Sequence, residues 1–198
     1  MKKNIIVLIV ALFSSATFAQ HKDFSTMSFE EQGRFLEGIW EYVSPDGKVV
    51  FTVEYITTEM LNNVGEIEAH WIIGCYKLKT NNKVIEDNLY KLNKYRGKRI
   101  LGEFDFDYTM HIKIFNDEHI SKHKQLDNVN LYDQTTGLCA DGAFFDLKFS
   151  YIRLVSSKKG EESIFMHLEE GEGEYEELPN NPDRIFSMPT DMTLKKKH

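Results

Sequence analysis

The chain has 198 residues, enough for one domain, and 41% of them are hydrophobic, 13% aromatic and 28% charged. That is an ordinary globular mixture, which excludes collagen-like, disordered and cysteine-rich scaffolds. Its 24 Lys and Arg stand against 31 Asp and Glu, a formal charge of −7, which disfavours nucleic acid, whose phosphates are held by basic clusters, and anionic membrane surfaces.

Lys2 and Lys3 precede an apolar run from Ile5 to Phe13, and Ser14, Ser15, Ala16, Thr17, Phe18 and Ala19 follow it. A basic start, a short apolar stretch and small residues before a cut after Ala19 predict a secretory signal peptide over residues 1–19. The run is about half the ~18 apolar residues that a membrane-spanning helix needs, and no Cys follows the cut to carry a lipid. Cleavage leaves a single domain, residues 20–198, and removes two lysines, which moves the charge from −7 to −9. The expectation is export across the inner membrane, to a periplasmic or secreted location, with no membrane span in the mature chain.

Ser28 and Glu31 have the spacing of a capping box. With Phe29, Phe35 and Leu36 they predict a short amphipathic helix, weakened at Gly33 and ending at Gly38. From Ile39 the hydrophobic period becomes two. A strand over Ile39 to Val43 leads to a tight turn at Ser44-Pro45-Asp46-Gly47, and Val49, Phe51, Val53 and Tyr55 alternate through the next strand. A further strand from Glu66 to Leu78 puts Trp71, Ile73 and Cys75 on one face and Ile72, Gly74 and Tyr76 on the other. Asn81-Asn82 marks a turn, Val84 to Asn93 a return, and Arg96-Gly97 another hairpin signal.

The strictest alternation runs from Phe104 to Ile114. Phe104, Phe106, Tyr108, Met110, Ile112 and Ile114 form one face; Glu103, Asp105, Asp107, Thr109, His111 and Lys113 form the other, as in an antiparallel sheet with one dry side. Phe145, Leu147, Phe149 and Tyr151 repeat the pattern. Ser156 to Gly160 is a turn, Ser163 to Leu168 a return, and Arg184 to Leu194 the last strand, with Lys195 to His198 expected as a frayed basic tail. No βαβ alternation occurs. The predicted class is all-β: an antiparallel up-and-down barrel of about 8–10 strands with a short N-terminal helix, closure or a second packed sheet removing exposed edges.

Phe35-Leu36-Glu37-Gly38-Ile39-Trp40, directly after the helix, resembles the F-x-x-G-x-W opening of lipocalin-like (calycin) barrels. The resemblance implies that Gly38 and Trp40 begin the barrel and that Trp40 closes one end against a basic residue from a late strand, for which Arg153 is the candidate. The signal, the meander and the closing Met192-Thr193-Leu194-Lys195 are also similar to small secreted Bacteroidota proteins that form a domain family of unknown function with a lipocalin-like shape.

Few residues point to chemistry. His119 and His123 have a zinc spacing if helical, with Glu118 and His111 near, but the segment lacks an apolar stripe and reads as solvated; no metal is expected. Glu169, Glu170, Glu172, Glu174, Glu176 and Glu177 lack the calcium-loop spacing and read as a solvated hairpin end. Asp105 and Asp107 read as the wet side of a strand rather than a glycosidase pair. No nucleophile elbow occurs, so no catalytic residue and no cofactor is assigned. Cys75 and Cys139 have two open readings: a bridge closing about 65 residues and worth ~4 kcal/mol, or two free buried thiols. Trp71, Phe104, Phe106, Tyr108, Phe145, Phe149 and Tyr151 are candidates for a common interior, where they fill the core or line a cavity for a small hydrophobic ligand. The functional expectation is a secreted, non-enzymatic binding protein for such a ligand. The alternative is a packed barrel scaffold that meets a protein partner through its loops.

Overall fold

A computed structural model describes residues 24–61, 64–101, 110–114, 125–126, 129–133, 135–140, 150–171 and 185–198. Helix α1 (Phe29–Leu36) begins at the expected capping box: the Ser28 hydroxyl accepts the Glu31 N–H at 3.3 Å, and the Glu31 carboxylate accepts the Ser28 N–H at 2.9 Å. Eight residues are too few for a helix to persist alone in water, so docking sustains it. Leu36 is fully buried, and the Gln32 carboxamide donates to the carbonyls of Phe24 and Met27 at 2.8 and 3.2 Å. No helix among the described residues is long and apolar enough to cross a membrane.

The strands follow in chain order: β1 (Gly38–Val43), β2 (Val49–Leu61), β3 (Ile67–Thr80), β4 (Lys83–Asp87), β5 (Ile100–Leu101), β6 (Met110–Ile114), β7 (Gln125–Leu126), β8 (Val129–Tyr132), β9 (Cys139–Ala140), β10 (Tyr151–Ser156), β11 (Ser163–His167) and β12 (Asp191–Lys196). They share one sheet in the order β7-β10-β11-β12-β1-β2-β3-β6-β8-β9, with β4 beside β3 and β5 beside β2. The pairing is antiparallel except for the short parallel contact of β2 with β5. The fold is thus all-β and antiparallel with little helix, as expected. Pairing of β12 with β1 sets the C-terminal strand beside the first.

The turns follow their chemistry. Asp46 accepts the Ser44 hydroxyl at 2.6 Å and the Lys48 N–H at 3.1 Å, and these bonds, the Ser44 one foremost, hold its carboxyl down at about 2. Asn81 and Asn82 both take the left-handed conformation, with φ 50° and 63°, which a two-residue hairpin of this hand requires. Two expectations fail. The return after Asn82 is a strand only to Asp87 and then becomes a 3-10 helix, Leu89–Lys94. The Arg96-Gly97 turn leads not to a hairpin but to β5, parallel to β2.

Among the described residues the end strands β7 and β9 are not paired with each other, so the ladders form an open path rather than the closed barrel expected. The two flanks nevertheless converge on one stretch of chain. Leu126 in β7 faces Ile152 of β10, and Val129, opening β8, faces Ile112 of β6. The Val129 N–H donates to the Ser150 carbonyl at 3.4 Å, and Ala140 bridges Glu170.

Period-two alternation builds the core. Phe51, Val53 and Tyr55 of β2, Ile72, Tyr76 and Leu78 of β3, Ile152 of β10, Ile164 and Met166 of β11, and Met192 and Leu194 of β12 join Leu36 and Trp40 in one buried cluster. A smaller cluster occupies the other face of β3: Ile56, Trp71, Ile73, Cys75 and Leu92, with Leu92 supplied by the 3-10 helix. At Gly74 a Cβ would lie 2.7 Å from Cε1 of Tyr55, its cross-strand partner. The missing side chain is the space the tyrosine ring fills.

Candidate functional site

The end of the sheet beneath α1 is sealed by three side chains from the two chain ends. Trp40 is wholly buried, and its indole N–H donates to the Leu36 carbonyl at 2.6 Å, which satisfies one of the carbonyls a helix leaves open at its C-terminus. Phe35 packs on Trp40 with ring centroids 5.6 Å apart. The Lys196 ammonium sits 5.2 Å from the Trp40 centroid and 5.6 Å from that of Phe35, and donates to the Phe35 carbonyl at 2.5 Å. Burial pushes this ammonium below its ordinary range, against the opposing pull of Glu162 and Glu37. Gly38 adopts φ 108°, open to glycine but not to larger residues, and a Cβ there would meet the Lys196 stem at 3.4 Å.

This corrects the role given to Arg153. In β10, Ile152 points into the core while Arg153 lies on the opposite face, with its guanidinium 5.2 Å from the Phe165 ring. The basic residue over Trp40 comes instead from the segment expected to fray. Lys196 belongs to β12, the Lys197 N–H donates to the Ile39 carbonyl at 2.8 Å, and Lys197 pairs with Glu41 at 2.7 Å.

Two of the seven candidate interior aromatics also lie elsewhere. Trp71 belongs to the smaller cluster on the outer face of β3, because Ile72, Tyr76 and Leu78 of that strand face the main core while Trp71, Ile73 and Cys75 face the other way. Tyr151 shares the outer face of β10 and β11 with Phe165 and His167, at centroid distances of 6.1 and 5.2 Å. His167 bridges two carboxylates there, with Nδ1 2.8 Å from Asp191 and Nε2 3.2 Å from Glu169. Phe104, Phe106, Tyr108, Phe145 and Phe149 lie outside the described residues, as do His119, His123, Asp105 and Asp107. Among the described residues no group of three or more His, Cys, Asp or Glu side chains is placed to hold a metal ion.

The cysteine bridge is not formed. Cys75 is a free thiol, buried beneath the 3-10 helix, and burial pushes it up to about 12. Cys139 lies in β9, separated from β3 by β6 and β8. Three steps of ~4.8 Å put the two strands on the order of 14 Å apart, beyond the ~7 Å limit for a bridge.

A buried carboxylate pair escaped the sequence reading. Glu86, 7% exposed, accepts from the Tyr76 hydroxyl and the Asn88 amide, each at 2.6 Å, and from the Thr135 hydroxyl at 3.3 Å. Asp133, fully buried, accepts the N–H of Thr135 at 3.0 Å and both the N–H and hydroxyl of Ser187 at 2.6 and 2.9 Å. Desolvation, reinforced by the nearby Asp133 charge, holds Glu86 above the usual carboxylate range, although its hydrogen bonds pull the other way. The network ties β3, β4, the turn after β8 and the segment before β12 into one unit. The sequence carries only a weak signal of it: Glu86 interrupts an otherwise ordinary exposed return strand, and Asp133 stands before a turn-rich Gln-Thr-Thr-Gly.

An antiparallel sheet wrapped on an apolar core, sealed at one end by helix and tryptophan, is a scaffold class and leaves the activity open. A model described as a family of unknown function (DUF6705) matches residues 1–197, and the chain belongs to that family. Comparison with curated proteins and with solved structures gives no match.

Proposed function

We propose that the protein is an exported, non-enzymatic binding protein built on a lipocalin-like barrel, which holds a small hydrophobic molecule inside the sheet. The observation that carries the reading is the sealed end: Trp40, Phe35 and Lys196 close one mouth where the lipocalin resemblance requires a tryptophan and a late basic residue. Convergence of β7 and β8 on one stretch of chain supports closure of the sheet on itself, which removes its edges. In this reading the α1 end is closed by Phe35, Leu36, Trp40 and Tyr55, and the ligand enters from the end away from α1. Bacterial origin and loss of residues 1–19 on export belong to the same proposal.

Native mass spectrometry of the protein purified from its own source tests it. The expected result is a chain beginning at Gln20 with one apolar molecule bound, released on denaturation. A ligand-free chain that also fails to take up an apolar fluorescent probe would overturn the carrier reading. The packing of strands from both flanks of the sheet into the larger buried cluster favours the second reading, a filled scaffold that meets a protein partner through its loops.

A further inference from the structure

On the edge of β2 away from β3, β1 pairs with Val50 to Tyr55 and β5 with Met60 and Leu61. Residues 56–59 of that edge therefore have no strand partner among the described residues. A cleft of about 500 Å³ opens at this gap. Its floor is Thr57, Thr58 and Glu59; Glu30 and Arg34 of α1 form one wall, and Gly97, Lys98 and Arg99 the other.

Both walls are anchored to the floor. At Gly33 a Cβ would lie only 2.5 Å from Cγ2 of Thr57, so the helix backbone rests directly on the strand. Across the cleft the Thr58 hydroxyl donates to the Lys98 carbonyl at 2.7 Å. The Thr57 hydroxyl donates to Glu37. With both hydroxyl protons spent, the side-chain donors left to the cleft are cationic. Three cations face two carboxylates here, a local reversal in a chain with an acidic excess. Arg99 commits Nε to Glu59 at 2.8 Å, and Arg34 reaches Glu30 at only 3.6 Å in a pair more than 70% exposed; exposed pairs of this kind are weak and yield to a competing anion. Lys98 has no ion-pair partner among the described residues.

We infer that this cleft is a binding site for a small polar ligand carrying an oxyanion group, carboxylate or phosphate, held by Lys98, Arg34 and Arg99. Guanidinium forks match both groups, and no apolar side chain lines the cleft. The site is independent of the apolar interior proposed above.

The test is amide NMR of the purified protein titrated with citrate and, separately, with inorganic phosphate, against sodium chloride at matched ionic strength. Saturable shifts at residues 57–59 and 97–99 are expected. Lys98→Ala should weaken binding about tenfold, the loss of one charge-assisted contact, and Glu59→Gln, which frees Arg99, should tighten it several-fold. Saturation by citrate alone or by phosphate alone supports the site and assigns the group. Shifts that chloride reproduces, or indifference to Lys98→Ala, or weaker binding by Glu59→Gln, would overturn the inference.

Discussion

The Lys196 ammonium lies over two aromatic rings and against a helix-end carbonyl, where a cation is partly desolvated and its attraction to the rings exceeds that at an open surface. Lys196→Ala should therefore cost about 2 kcal/mol in urea unfolding, from the lost ring contact and the charge-assisted hydrogen bond. Arg153→Ala, which removes one outer-face contact, should cost under about 1 kcal/mol. Equal costs, or the reverse order, would contradict the assignment of the cap. Gly38 and Trp40 were legible because the F-x-x-G-x-W string is local. Their partner was not: Lys196 is 161 residues from the carbonyl it binds, and a run of lysines at a chain end looks like any solvated tail until a ladder brings it to the first strand. Glu86 gives a second prediction with a definite sign. Its carboxyl is held above the ordinary range, first by burial, so the folded state binds its proton more tightly than the unfolded chain does. That contribution is full below the ordinary carboxylate range and is lost as pH rises through the raised folded value. Glu86→Gln keeps an acceptor for Tyr76 and Asn88 and removes the titration, so the variant should gain on the wild type in urea midpoint between pH 4 and pH 8. Parallel midpoint curves for the two proteins would contradict it.

Among the elements, α1 shows how a poor helix residue becomes the right one. Alanine at position 33 would raise intrinsic helix propensity by ~1 kcal/mol over glycine, yet its Cβ would fall 2.5 Å from Cγ2 of Thr57, whose side chain and backbone are both engaged by Glu37. Gly33→Ala is thus expected to destabilise by about 1–3 kcal/mol, the usual cost of overpacking. Adding Thr57→Ser, which deletes the clashing methyl and keeps the hydroxyl, should restore most of that in the same unfolding assay. A stabilising Gly33→Ala single variant would show that the helix does not rest on β2. The helix was legible from its capping box and its apolar positions, but the reason for Gly33 was not, since it lies in a strand that begins sixteen residues later. Strand β3 failed differently. Trp71, Ile73 and Cys75 alternate cleanly with Ile72, Gly74 and Tyr76, so the strand itself was legible. Both faces are apolar, however, and nothing local tells which faces the larger core; the 3-10 helix that covers the odd face begins at Leu89, inside what read as a return strand.

At the scale of the molecule, the sheet joins its terminal strands β1 and β12 and spreads from them in both directions until β10 and β6 are reached. The all-β class was legible because period-two alternation recurs between turn residues along most of the chain. The place where the two flanks approach was not, because it depends on residues 125–126 and 129–132, where Leu126, Val129 and Leu131 face the core amid a polar stretch with little alternation of its own. The proposed barrel rests on that stretch serving both flanks at once, Leu126 paired with Ile152 of β10 and Val129 with Ile112 of β6. The most direct measurement is a search for cross-strand nuclear Overhauser effects in the isotope-labelled protein. The proposed closure predicts, beyond the Leu126–Ile152 and Val129–Ile112 contacts of the described ladders, cross-strand contacts between the end strands β7 and β9, with the amides of both slow to exchange. End strands β7 and β9 that show no contact with each other and exchange their amides fast would mean an open sheet and would contradict the proposed barrel.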